Sequence, residues 1–183
     1  MKALRIVGII LLVAVIAFGI GVAMQPLKGH VEQSIVINAP PSTVYKTVNT
    51  YKNFSAWAPW AKMDPGAKYA FEGPEEGVGA KMSWDGEKTG KGSQWIEESI
   101  PDQKVKCAMA FEGFDDTAYS EFILTPKGGG TTLTWTYDGV NKGITGKAMW
   151  MFMGTMLNDQ YTQGLADLKT YVENLTDSAS VSK

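Results

Sequence analysis

The sequence predicts an α+β domain: an antiparallel sheet backed by one long C-terminal helix, with a membrane-spanning helix in front of it. Three observations predict this. Segments in the middle of the chain alternate apolar and polar residues with period two. The last segment carries apolar residues at three- and four-residue steps. Ile6 to Met24 contains only apolar residues and glycine.

The N-terminal run, IVGIILLVAVIAFGIGVAM, follows Lys2 and Arg5. Its length approaches the ~20 residues a spanning helix needs. The basic flank places the N-terminus in the cytoplasm and the rest of the chain across the membrane. Two readings stand for residues 1–24. A retained anchor is favoured because the run exceeds the ~7–15 residues of a signal core. A cleaved signal peptide would use the small residues around Gly21-Val22-Ala23. Either places the domain outside the cytoplasm, membrane-anchored if the segment is kept and secreted or periplasmic if it is cut. Residues 25–29 read as a linker, with Pro26 ending the helix. The folded domain is expected over 30–175, and the polar tail TDSASVSK, 176–183, is expected to be flexible.

The domain opens on a strand, HVEQSIVIN. Pro40 and Pro41 suit a helix start, and Val44, Tyr45 and Val48 have helical spacing. Asn49 to Phe54 reads as a bend, and a second short helix is expected over Tyr51 to Trp57, ended by Pro59. About six strands follow. In GAKMSWDG, Ala80, Met82 and Trp84 share a face. In KVKCAMAFEG the sharing set is Val105, Cys107, Met109 and Phe111, and in TTLTWTYDG it is Leu133, Trp135 and Tyr137. Strands near Lys68–Glu72, Ser93–Ile100 and Tyr119–Thr125 alternate less cleanly. The turn signals DPG, GPEEG, WDGEKTGKG, IPDQ, GFDD and PKGGG separate them. One-sided apolarity implies a sheet with one wet and one buried face. The closing helix, about Thr145 to Leu175, would span ~45 Å. It would turn Met149, Met153, Met156, Leu157, Tyr161, Leu165, Leu168 and Val172 toward that face.

Several function classes are excluded. Charge is nearly balanced, with 17 basic and 19 acidic residues, and no like-charge block offers a nucleic-acid surface. One cysteine, Cys107, rules out an intrachain disulfide. One histidine, His30, rules out any site built on two imidazoles. No Cys/His set has zinc spacing, and PKGGGTT lacks the phosphate-loop pattern, so neither metal nor cofactor is expected.

The order of elements resembles the START / Bet v 1-like (SRPBCC) superfamily, in its polyketide cyclase/dehydrase and lipid-transport branch. SIVINAPPSTVYKTVNTYKNFSAWAPW is similar to that branch's opening strand, proline-started helix and N-F-x-x-W-x-P-W bend. FEGPEEGVGAKMSWDG and GKGSQWIEESIPDQKV resemble its hairpins. GGTTLTWTYDG and MLNDQYTQGLADLKTYVE resemble its last strand and closing helix. The match covers about His30 to Glu173. It implies a helix-grip fold, in which a curved sheet wraps the long helix around an elongated cavity that holds sterols, lipids or polyketides. Members include enzymes and carriers, so the fold leaves the activity open.

The ligand-lining candidates are Trp84, Met109, Phe111, Trp135 and Tyr137 on strands, with Met149, Met153 and Met156 on the helix. Methionine adapts to irregular apolar shapes, which fits a ligand cavity and a packed core equally. In SQWIEESI strict alternation turns Glu98 inward with Ile96 and Ile100, making it a candidate acid or base, with Tyr137 second. Lys142 and Lys147 stand where an acidic ligand head would pair, or else cap a solvated helix start. Trp57 and Trp60 read as structural anchors at one end of the sheet. Three functions compete: binding of an apolar or amphipathic small molecule, cyclase or dehydratase chemistry on such a molecule, and an envelope role through protein contacts.

Overall fold

The computed structural model describes residues 2–181, with side chains through Ser178. Its elements are α1 (Lys2–Ala23), β1 (Lys28–Ile37), α2 (Pro41–Val48), α3 (Phe54–Trp57), α4 (Pro59–Met63), β2 (Lys68–Glu72), β3 (Lys81–Gly86), β4 (Gly90–Ile100), β5 (Lys104–Phe111), β6 (Ala118–Lys127), β7 (Gly130–Val140) and α5 (Gly143–Val181). The strands form one antiparallel sheet in the order β1-β7-β6-β5-β4-β3-β2. From β2 to β7 the chain meanders hairpin by hairpin, and β1 closes the row beside β7. The sheet curves, and the long helix α5 lies in its inner face.

The period-two patterns set which side faces in. Met82, Val105, Cys107, Leu133 and Trp135 are buried on the inner face, and α5 meets them with Leu157, Tyr161, Leu165, Leu168 and Val172. α2 starts at Pro41 after an extended Pro40 and inserts Val44 and Val48 into the same core. Pro59 ends α3 and also starts α4, a helix the sequence reading did not anticipate. A proline needs no intrahelical N–H partner at a first position, so one residue serves both ends.

Other bounds differ from expectation. β1 begins at Lys28, so the last two residues of the supposed linker, 28 and 29, are strand. α5 continues as helix to Val181, through most of the tail expected to be flexible. The last two tail residues, 182–183, lie outside the described residues. α1 is long and apolar enough to cross a membrane, with mean hydropathy 3.0.

Candidate functional site

The inner face has two halves. In the half below α2 to α4, Trp135 is the centre of an aromatic stack. Tyr161 stacks on it at 4.0 Å and Phe122 at 5.0 Å, while Trp57 and Trp60 meet it edge-on at 5.7 and 5.6 Å. Its indole N–H donates to Ser120 Oγ at 2.8 Å. Gly164 of α5 leaves the gap in which this ring sits, since a Cβ there would lie 2.7 Å from Trp135 Cζ3. Trp57, 1% exposed, also packs on Phe54 and Phe122, and its own N–H has no partner. This half is closed. The structure places Trp135 and Trp57 in its packing.

The other half, toward the start of α5, is less covered. α5 packs chiefly along β1, with a smaller contact to β7. On the inner face of β3 to β5, Met82, Gln94, Ile96, Val105, Cys107 and Met109 are buried, and only the side chains at one end are half buried. Trp84 and Phe111 meet edge-to-face at 5.6 Å, and Met149 and Met153 on α5 are likewise half buried. Trp84 stands over Gly92, which has no side chain to obstruct it. Met109 and Tyr137 are buried in the same face. Tyr137 stacks on Trp150 at 6.0 Å, and Trp150 in turn lies on Gly29 of β1, where a Cβ would sit 2.6 Å from the ring. Of the eight anticipated lining residues, Trp84, Met109, Phe111 and Tyr137 lie on the inner face of the strands, and Met149 and Met153 are half buried on α5. Trp135 lies in the closed stack, and Met156 is 44% exposed and turned away.

The reason for the Met156 correction is that α5 buries Trp150, Leu157 and Tyr161 at its start, a stripe rotated from the one anticipated. Two residues of this half escaped the sequence reading. Trp150 is buried among flanking methionines that masked it. Gln94 is buried on β4, in register with Met82 and Met109. Strict alternation from Ile96 would have found it.

Glu98 does not face in. The β4–β5 pairing shifts between Ile96 and Glu98, so Glu97 is an extra residue and the alternation inverts beyond it. Glu98 pairs in register with Lys106 on the outer face, and Lys104 Nζ bonds its carboxylate at 2.8 Å. Ser99 faces inward instead, accepting from Tyr45 Oη at 2.6 Å and donating to Asn49 Oδ1 at 2.7 Å. Tyr137, the other acid–base candidate, has its pKa raised by burial and by Asp138, so it stays a neutral phenol. Lys142 pairs with Asp116, and Lys147 donates to the carbonyl of Ala23, so both anticipated anion partners are engaged. His30 bonds Asp138 at the surface. Cys107 is buried, accepts a bond from Tyr51 Oη, and has its thiol pushed up to about 11 by burial. Among the described residues no group of three or more His, Cys, Asp or Glu is placed to hold a metal.

Two surface clefts accompany this face. One of about 230 Å³ lies between Tyr51, Phe71, Pro74 and Lys81. The other, about 440 Å³ and wide open, lies along the β1–α5 seam between His30, Glu32, Trp150, Met151 and Asn158. None of the eight anticipated residues lines either cleft. The inner face itself presents apolar rings, thioethers and the Gln94 amide.

Solved structures share this fold. A protein from Chromobacterium violaceum, CV1439, is 20% identical with a TM-score of 0.56, over 79% of this chain and 97% of its own. The Aha1 protein from Colwellia psychrerythraea is 17% identical with a TM-score of 0.57, over 79% of this chain and 96% of its own. The di-domain aromatase/cyclase StfQ of the steffimycin biosynthetic pathway is 13% identical with a TM-score of 0.61, over 82% of this chain but 52% of its own. Identities this low show the fold alone. No curated protein sequence matches the chain. The family model for polyketide cyclase / dehydrase and lipid transport matches residues 28–173, from the first strand to the last turns of α5. Through that match, which takes in every strand and the closing helix, the chain belongs to the polyketide cyclase / dehydrase and lipid transport family.

Proposed function

We propose that this protein is a membrane-tethered domain that holds an apolar or amphipathic small molecule, of lipid or polyketide type, on the inner face of its sheet. One observation supports the reading. α5 lies over β1 and β7, and beyond the buried residues of β3 to β5 the inner face ends in Trp84 and Phe111, which are only half buried, as are Met149 and Met153 on α5. Separating an aromatic pair costs ~0.5–1.5 kcal/mol beyond its area, while each ligand methylene buried returns ~0.8 kcal/mol. A chain of a few methylenes therefore opens the Trp84–Phe111 contact. Gln94 supplies one uncharged hydrogen-bonding group for a polar end. With Tyr137 neutral and Glu98 outside, the face offers no acid–base pair, which favours holding a molecule over converting it. Lys2 and Arg5 ahead of α1 favour a location outside the cytoplasm.

Native mass spectrometry of the full chain in detergent tests this. The wild type is expected to carry a small apolar adduct, and Phe111→Asp is expected to lose it with unchanged circular dichroism. A wild-type chain that stays adduct-free after exposure to whole-cell lipid extract would sink the reading.

A further inference from the structure

The last turn of α1 is fixed to the domain. Val22 is 3% exposed, and a Cβ at Gly21 would lie 3.7 Å from Met151 Sδ. Lys147 Nζ donates to the Ala23 carbonyl at 3.1 Å. The few residues that follow are pinned as well. Asn141 donates its backbone N–H to Leu27 O at 2.7 Å and its side-chain amide to Pro26 O at 3.1 Å. A helix of 22 residues is ~33 Å long, close to the ~30 Å of a bilayer core. Ala23 thus marks the level of the far interface, and the α5 residues that touch this turn are held at that level.

The surface around this point is apolar and open. Ile144 is 81% exposed and Phe152 65%, and with Ala148 between them they form one stripe of α5. Phe114, 52% exposed, is in the β5–β6 loop, which the Asp116–Lys142 ion pair ties next to Ile144. Leu27, 58% exposed, lies where α1 leaves. Single exposed apolar residues are ordinary. Four large ones gathered at the exit of a membrane-spanning helix, beside Lys142 and Lys147, have the make-up of a segment seated among lipid headgroups.

We propose that Leu27, Phe114, Ile144 and Phe152 form a second membrane-contact surface, seated in the interfacial layer of the bilayer that α1 crosses. The domain is then docked on the membrane in one orientation. The occupant is the bilayer and not a second copy, because the patch is continuous with α1 and is fixed at the depth of its last turn. The inference rests on α1 being kept as a span, and it is independent of what the inner face holds.

The test uses the full chain in nanodiscs of phosphatidylcholine with phosphatidylglycerol. Nitroxide labels are placed at Phe114→Cys and Ile144→Cys, with Lys127→Cys at the opposite end of the sheet as reference. Labels at 114 and 144 are expected to be more accessible to oxygen than to a nickel chelate, at interfacial depth, and the label at 127 to be aqueous. Three outcomes would overturn the proposal: aqueous values at 114 and 144, spin–spin broadening between copies at those sites, or an intact mass lacking α1. A Phe114→Asp/Ile144→Asp pair should move a label at Phe152→Cys toward water while leaving any adduct in native mass spectrometry unchanged. Loss of the adduct with labels still interfacial would count against the binding reading alone.

Discussion

Gly164→Ala asks whether helix propensity or the aromatic stack governs α5. Glycine costs ~1 kcal/mol against alanine in a helix interior, so propensity alone predicts a more stable protein. The structure predicts the reverse. The new Cβ would lie 2.7 Å from Trp135 Cζ3 and 3.1 Å from Pro59 Cδ, where carbon contacts normally fall at ~3.5–4.0 Å. Trp135 cannot retreat, because Tyr161 stacks on it at 4.0 Å, Phe122 at 5.0 Å, and Ser120 holds its N–H. Overpacking of this kind costs ~1–3 kcal/mol, which leaves a net loss of ~1 kcal/mol after the propensity gain. Gly154→Ala, on the same helix, is the comparison. Its Cβ would meet the Trp150 ring at 3.3 Å, beside an open cleft into which that ring can shift. There the propensity gain of up to ~1 kcal/mol should survive. At ~2–4 °C per kcal/mol, the two variants should melt on opposite sides of the wild type, several degrees apart. Thermal melts of the full chain in one detergent, followed by near-ultraviolet circular dichroism of the tryptophans, measure this. A Gly164→Ala protein that melts at or above wild type would refute the claim that the stack is tightly closed.

Three further outcomes are expected. Glu98→Gln should change stability by less than ~1 kcal/mol and leave any bound adduct in place, because the carboxylate is half exposed on the outer face beside Lys104; loss of binding would show that it faces in. Asp64 accepts bonds from the Lys88 and Thr89 backbone and the Thr89 hydroxyl, which hold its carboxyl below the ordinary ~3.9. Its contribution is therefore complete above ~3.9 and lost as pH falls through the lower folded value, so the stability gap between wild type and Asp64→Asn should narrow in acid; a gap constant from pH 7 to 2 would contradict this. Cys107 should react with iodoacetamide only in step with unfolding, since its buried thiol is pushed up to about 11; rapid labelling of the folded chain would mean that the Tyr51–Cys107 region opens.

The strands were readable where one face is wet. Met82 and Trp84, Val105 to Phe111, and Leu133 to Tyr137 alternate with lysines, serine, alanines and threonines, which marks one face as the apolar one. The start of α5 was not readable in the same way. From Ala148 to Met153 every residue is apolar, so no face stands out, and only packing decides that Trp150 goes in and Phe152 stays out. The double use of Pro59 hid α4, since a proline is normally read as an end or a beginning. Glu98 was misplaced because a bulge leaves no mark in composition. EES reads as ordinary alternation until the pairing with Lys106 is known. The candidate site was therefore legible in its residue types, and less so in which side chains it brings together.

The extra residue at Glu97 also sorts charge. Both adjacent glutamates end up outside, Glu98 within a lattice of Lys104, Lys106 and Glu121 and Glu97 accepting from the Trp95 indole, and a serine hydroxyl takes the inward place. A single count along β4 thus keeps a carboxylate off the inner face. Tyr137 is the one titratable side chain among the inner-face residues Trp84, Gln94, Met109, Phe111, Tyr137, Trp150 and Met153, and its proton is held above the ordinary phenol range. Whatever this face holds would be gripped alike in mild acid and mild base, and its release would have to be triggered by movement or by partitioning into lipid, not by a proton.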